Sequence, residues 1–177
     1  MCGQVKLGSL NKKVIGAKKH IYNNITFDSK LEIACYQCLI DNGIPFEYNA
    51  HTATLFEKFR LESVRYFQSM YSKKKLIGYG EYKTKKDEKQ AFTSITYTPD
   101  FKIEVDNYLI FIETKGNTND VYPYKRKIFL NYLDNEAKLT GKKIYFFEPR
   151  NNKQIKESII IIKELLNDKN REDKRIN

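Results

Sequence analysis

The chain is 177 residues long and carries 32 Lys and Arg against 22 Asp and Glu, a formal net charge of +10. That length fits one domain with a core of its own, and 41% hydrophobic residues is too many for a disordered chain. No apolar run, Ile159–Ile162 included, approaches the roughly 20 residues that span a bilayer, so no membrane association is expected.

In chain order, residues 1–24 read as a basic arm with little pattern, and without the apolar segment of a secretory signal. A helix is predicted from Asp28 or Ser29 to Asn42, because Leu31, Ala34, Cys35, Cys38 and Leu39 fall on one helical face. Asn42-Gly43 supplies its stop. Residues 44–49 read as a short strand, 54–71 fit helix or strand, and 92–98 are β-prone up to Pro99. Strands at 101–105 and 108–114 flank a turn at Asp106-Asn107, a hairpin signal. Asn119 or Asp120 is placed to cap a helix over 122–140 that Gly141 closes. A strand at 143–147, a helix at 153–167 and a charged, frayed tail at 168–177 complete the chain. Strand, helix and strand over 108–147 make a right-handed βαβ unit. The expected fold class is α/β: a mixed central sheet flanked by helices, in the order helix, antiparallel strands, βαβ.

The positive charge is clustered. Residues 1–20 hold five lysines and no acid, and Lys73, Lys74, Lys75, Lys83, Lys85, Lys86 and Lys89 crowd residues 73–89. Lys125, Arg126 and Lys127 form a third group in the first turns of the 122–140 helix, where cations oppose the helix dipole unless a phosphate compensates them. Such clusters among Tyr and Phe mark a phosphate-backbone binder, although a solvated lysine surface looks the same. Tyr122 and Tyr124 are placed to stack on bases or sugars. Cys2, Cys35 and Cys38 are too few and too odd for a disulfide framework and suit a reducing cytosol. Cys35 and Cys38 fit a buried helix face. His20 and His51 lie too far apart for a His-based zinc site.

Chemistry concentrates in Pro99-Asp100 and Glu113-Thr114-Lys115-Gly116. Glu113 and Lys115 share one face of a strand, and a hairpin brings Asp100 beside that face. Two carboxylates, with the Thr114 backbone carbonyl, make a hard oxygen site for Mg²⁺, with Mn²⁺ as a substitute. The Lys115 ammonium faces the same pocket. That set suits phosphodiester hydrolysis, whereas a solvated ion pair and a turn aspartate are the bland alternative.

Pro99-Asp100 followed by Glu113-Thr114-Lys115 resembles the signature of the PD-(D/E)xK nucleases. Glu32, in the helix that Asp28-Ser29 opens, is similar to the first-helix glutamate of that superfamily. The likeness covers roughly residues 22–148 and is nearest to Holliday junction resolvases and their phage-encoded relatives. It implies a restriction-endonuclease-like core over 25–167, Mg²⁺-dependent DNA cleavage, metal ligation by Asp100 and Glu113, Lys115 as catalytic lysine and Glu32 as accessory acid. It further implies a branched DNA substrate, a homodimer and a cytoplasmic location, the host's if viral. The first helix and the amphipathic 153–167 helix (Ile155, Ile159, Ile162, Leu166) are the candidate dimer interface, with ordinary packing against the sheet as the alternative. A lysine-rich insertion at about 50–91 departs from a minimal resolvase. A sequence- or end-directed nuclease of the same superfamily, or a non-catalytic nucleic-acid-binding module, are the other readings. Ser29-x-x-Glu32 is also a capping box, which would occupy Glu32 with backbone N–H groups instead.

Overall fold

The computed structural model describes residues 19–65, 67–81, 91–116 and 119–176. It divides into two compact units, Met1–Thr52 with Thr98–Asn177, and Ala53–Tyr97. The fold class is mixed α/β.

In the first unit, strands β1 (His20–Tyr22) and β2 (Ile25–Phe27) pair as a hairpin, where an unpatterned arm was expected. Asn23 and Asn24 take φ of 50° and 61° between the paired Tyr22 and Ile25. That is the two-residue turn whose twist matches the strands, and Asn tolerates it. Residues 1–18 lie outside the described residues. Helix α1 (Lys30–Asp41) begins at Ser29, whose hydroxyl accepts the Glu32 amide, and gives way at Asn42 to Gly43, with φ 62°.

The central sheet holds β3 (Glu47–Tyr48), β10 (Phe101–Val105), β11 (Tyr108–Ile112) and β12 (Lys143–Phe147), in the order β12-β11-β10-β3; strands β4 to β9 belong to the second unit. β10 and β11 form the expected antiparallel hairpin, Phe101 opposite Ile112. β11 and β12 run parallel, Ile112 beside Phe147, joined through helix α2 (Tyr122–Thr140). Alternation sorts the side chains. Phe101, Ile103, Ile110 and Ile112 meet Cys35 and Leu39 of α1 and Ile155, Ile159 and Ile162 of helix α3 (Asn152–Ile176). On the other face Phe129 of α2 meets Phe111 and Phe146 edge-on.

Two expectations are corrected here. Helix α3 continues through the supposed tail to Ile176. Ile155, Ile159 and Ile162 are buried in the chain's own core, packed with α1, so these faces are not a dimer interface. Burial also pushes the Cys35 thiol well above the ordinary thiol range.

The second unit is a succession of antiparallel pairs: β4 (Ala53–Phe56) with β9 (Ile95–Tyr97), β5 (Phe59–Arg60) with β8 (Ala91–Phe92), and β6 (Phe67–Ser72) with β7 (Lys75–Glu81). The pairing runs from Ala53 opposite Tyr97 to Ser72 opposite Lys75, so the unit is a two-stranded arm. It begins and ends a few residues later than the insertion expected at 50–91. Phe59 stacks on Phe92 with ring centres 4.8 Å apart, and Phe56 meets Phe59 edge-on. What looked like a lysine-rich loop at 73–89 is, as far as it is described, a turn at Lys73-Lys74 and then strand β7. Lys83, Lys85 and Lys86 lie outside the described residues.

Replacing Ile159 with Ala should cost about 2–5 kcal/mol of stability, the usual penalty for emptying a packed aliphatic site. Urea denaturation reads that loss, and light scattering should give the mass of the parent protein, because the side chain faces α1 of its own chain.

Candidate active site

Three backbone hydrogen bonds set the stage. The Asn49 amide donates to the Asp100 carbonyl at 2.9 Å, fixing the residue that follows the buried Pro99. Past the end of β11 the chain still follows its parallel neighbour. The Glu113 amide donates to the Phe147 carbonyl at 2.9 Å, and the Lys115 amide to that of Pro149 at 3.1 Å. Glu113 and Lys115 are therefore on one side, as their spacing predicts, and the Lys115 ammonium lies 2.5 Å from Glu113 Oε1. Thr114 points the other way. Its amide and its hydroxyl both donate to Asp100 Oδ2, each at 2.7 Å.

Asp100 and Glu113 are thus gathered into one largely buried place. Burial, then the Glu113 charge, hold the Asp100 carboxyl up at about 7 despite the two Thr114 donors, and Glu32 adds to the rise. Burial would lower Lys115, but the charge and hydrogen bond of Glu113, followed by Asp100 and Glu32, outweigh it and raise the lysine above its ordinary value. Lys115 is therefore a fixed cation at neutral pH.

Glu32 makes the capping arrangement. Its Oε2 accepts from the Asp28 amide at 3.0 Å and the Tyr48 hydroxyl at 2.8 Å, and its Oε1 from the Ser29 hydroxyl at 2.8 Å. The side chain is buried, and its charge is felt at Asp100 and Lys115. The Tyr48 phenol is pushed up by burial and then by Glu32.

A further layer was missed in the sequence. Tyr122 is buried, with the Lys115 ammonium 4.9 Å from its ring centre, so it does not offer its ring to bases as expected. Its hydroxyl donates to Glu148 Oε2 at 2.9 Å. Arg126 Nε reaches the same oxygen at 2.5 Å, and Arg150 reaches Glu148 Oε1 at 2.5 Å. Burial would raise Glu148, but these three donors hold it below its ordinary value. Arg126 is thus anchored rather than free on a solvated face. Lys125 is half-buried and Lys127 exposed on α2. Lys73, Lys74 and Lys75 are exposed in the second unit. The missed signal is a repeat of the charged pattern: Glu113-x-Lys115 ends β11 and Glu148-x-Arg150 ends β12. Since Ile112 stands beside Phe147 in a parallel pair, the two patterns come out abreast. The carboxyl ends of parallel strands are where α/β sheets place ligands.

Among the described residues no group of three His, Cys, Asp or Glu side chains forms a ready metal cage. The donors nearest to one are the carboxylates of Asp100 and Glu113, with the Thr114 carbonyl available to add a third oxygen. Two buried carboxylates whose charges oppose each other fit a hard divalent cation, which would relieve that repulsion.

Residues 12–144 match the protein family described as "Protein of unknown function (DUF1064)". The chain belongs to the DUF1064 family. The matched span takes in Glu32, Asp100, Glu113, Lys115, Tyr122 and the whole arm, so the arm is inside the family's span; Glu148 and Arg150 lie past it. No curated protein and no solved structure matches the chain.

For this DUF1064 protein the raised Asp100 carboxyl has two measurable consequences. A cation held by Asp100 would need the ionised form, so if Mg²⁺ binds there its affinity should fall about tenfold per pH unit below pH 7 and level off above it, by calorimetric titration. A carboxyl raised in the folded state favours folding below its unfolded value near 4, and that contribution is lost as pH rises through about 7. Asp100→Asn cannot ionise and still offers Thr114 an acceptor. In EDTA at pH 8 it should be more stable than the parent by up to about 4 kcal/mol, the worth of the rise from near 4 to about 7. The gap should close at pH 4.

Proposed function

We propose that this DUF1064 protein is a metal-dependent DNA endonuclease with a PD-(D/E)xK type of site on a restriction-endonuclease-like core. The observation that carries the reading is the meeting of Asp100, Glu113 and Lys115 at the ends of adjoining strands, with Asp100 held up at about 7 by burial and its neighbour. Asp100, Glu113 and the Thr114 carbonyl would hold Mg²⁺, or Mn²⁺ in its place. Such a cation supplies Lewis acidity toward phosphate and lowers the pKa of water.

The chain's own groups do the rest. Thr114 fixes the rotamer of Asp100 through two donors on one oxygen. Lys115, cationic throughout the neutral range, offsets the negative charge that develops on the phosphoryl oxygens. The Tyr122 ring and the Glu113 carboxylate keep the ammonium aimed. Arg126 and Arg150, both held by Glu148, present cations beside Lys115 for the phosphates that flank the scissile bond. Lys125 and Lys127 extend that basic rim along α2. Glu32 is assigned the part of an accessory acid acting through its field, because its oxygens already serve the cap.

We further propose a branched DNA substrate cut by a C₂ homodimer, since one chain carries one Asp100, Glu113 and Lys115 set and a four-way junction has two symmetric cleavage points. The surfaces that α1 and α3 leave to such a contact include Ile40, Ile160 and Ile161, which are exposed. The proposed place of action is the cytoplasm, of the host if the protein is viral. The free Cys35 and Cys38 suit a reducing compartment. No helix among the described residues is long and apolar enough to cross a membrane.

The test is cleavage of junction, flap, duplex and single-stranded DNA in Mg²⁺. Asp100→Asn and Glu113→Gln should each lower cleavage at least a hundredfold while keeping the fold by circular dichroism. Lys115→Ala should still bind DNA and lose about 2–4 kcal/mol of transition-state stabilisation. Ca²⁺ should support binding with little cutting. Undiminished cutting by the carboxylate variants, or in EDTA, would remove the site from consideration.

A further inference from the structure

The β6–β7 part of the arm is unusual in what it leaves in water. Strands β6 and β7 form a two-stranded ribbon with a register shift between Met70 and Tyr71, and Phe67, Ser69 and Tyr71 share a face with the opposed Tyr79 and Leu76. On that face Phe67, Tyr71, Leu76 and Tyr79 are all exposed; Tyr71 is 62% and Tyr79 66% accessible. The opposite face is closed over by one side chain. Met70 lies across Gly78 and Gly80, where a Cβ on Gly80 would meet Met70 Sδ at 2.8 Å. The ribbon therefore carries its exposed rings on one face.

The turn at its end adds a second observation. Lys73 and Lys74 take φ of 47° and 65° between the paired Ser72 and Lys75. The first unit fills the same kind of turn with Asn23-Asn24, which tolerates it. Two lysines there cost about 1–2 kcal/mol each in backbone strain, and the turn keeps them, with Lys75 beside them. Over Ala53–Tyr97 the chain carries ten basic and five acidic residues. A second copy of the same arm would bring like charge against like charge. A polyanion that also presents flat, unpaired rings satisfies both features, since bases stack on aromatic side chains while cations track the backbone.

We propose that the arm is a single-stranded DNA-binding element, in which Tyr71 and Tyr79 stack on unpaired bases and the Lys73-Lys74-Lys75 turn contacts the phosphates. This deepens the nuclease reading and rests on it for the identity of the nucleic acid. It accounts for unpaired DNA as a feature the enzyme selects.

Binding is measured by fluorescence anisotropy with the full chain in EDTA, on a labelled single strand of about 20 nucleotides and on its duplex. The parent should prefer the single strand. Tyr71→Ala with Tyr79→Ala should weaken single-strand binding on the order of tenfold per ring, leave the salt slope unchanged and spare duplex binding. Tyr71→Phe with Tyr79→Phe should restore it, because phenylalanine still stacks. Lys73→Asn with Lys74→Gly should relax the turn, raise the melting temperature and yet flatten the salt slope by about 0.7 per lost contact. Parent-like single-strand binding by the alanine pair overturns the proposal. So does an equal loss on duplex, which would mean a groove read through its backbone, or a change in solution mass with DNA binding intact, which would mean self-association. Cleavage in Mg²⁺ is scored separately. A protein that binds through the arm and never cuts overturns the nuclease reading and leaves this one standing.

Discussion

One oxygen, Asp100 Oδ2, receives both the amide and the hydroxyl of Thr114, and the arrangement of the site follows from that pair of hydrogen bonds. Thr114 is turned toward Asp100 because alternation along the strand's continuation turns Glu113 and Lys115 the other way. The same two bonds hold the Asp100 carboxyl close enough to Glu113 that the Glu113 charge adds to its rise. Desolvation and like charge oppose the two donors and exceed them, so the site is built at a cost in stability to the metal-free protein. A residue chosen only for folding would not be a buried carboxyl beside another one. Such a cost is expected where chemistry, not packing, fixes the residue.

The cations around this pair are ordered by a hierarchy of support. Lys115 is held by Glu113 and by the ring of Tyr122, Tyr122 by Glu148, and Glu148 by Arg126 and Arg150. Each group satisfies the next, so few of these long side chains move independently. That would lower the entropy lost on binding a phosphate under the proposed function.

Local signals in the sequence were readable where they were self-contained. Ser29 to Asn42 carries both caps and a one-face pattern, and β10 and β11 flank a two-residue turn, so both elements and the pairing of Asp100 with Glu113 were legible. Glu148 and Arg150 were not, because their place depends on the parallel register across α2, and nothing within ten residues of them states it. Tyr122 and Tyr124 flank Pro123 at a helix start, where periodicity has not yet separated inner from outer positions. The arm stayed ambiguous for a different reason. With β6 almost wholly in water, that stretch lacks the alternation that betrays a half-buried strand. The Asn23-Asn24 pair, by contrast, is a hairpin signal legible in the sequence itself.

The β10–β11 hairpin also has a bearing on how the molecule is assembled. Asp100 and Thr114 are 14 residues apart in sequence, whereas Tyr122 and Glu148 are 26 apart and need the whole α2 crossover before they meet. Short loops close at smaller entropic cost and sooner than long ones. On loop length alone, the carboxylate pair is expected to come together in the nascent hairpin before α2 and β12 bring up the Glu148 and Arg150 flank. A divalent cation captured at that stage would act as a folding nucleus, and refolding rate would then depend on metal concentration.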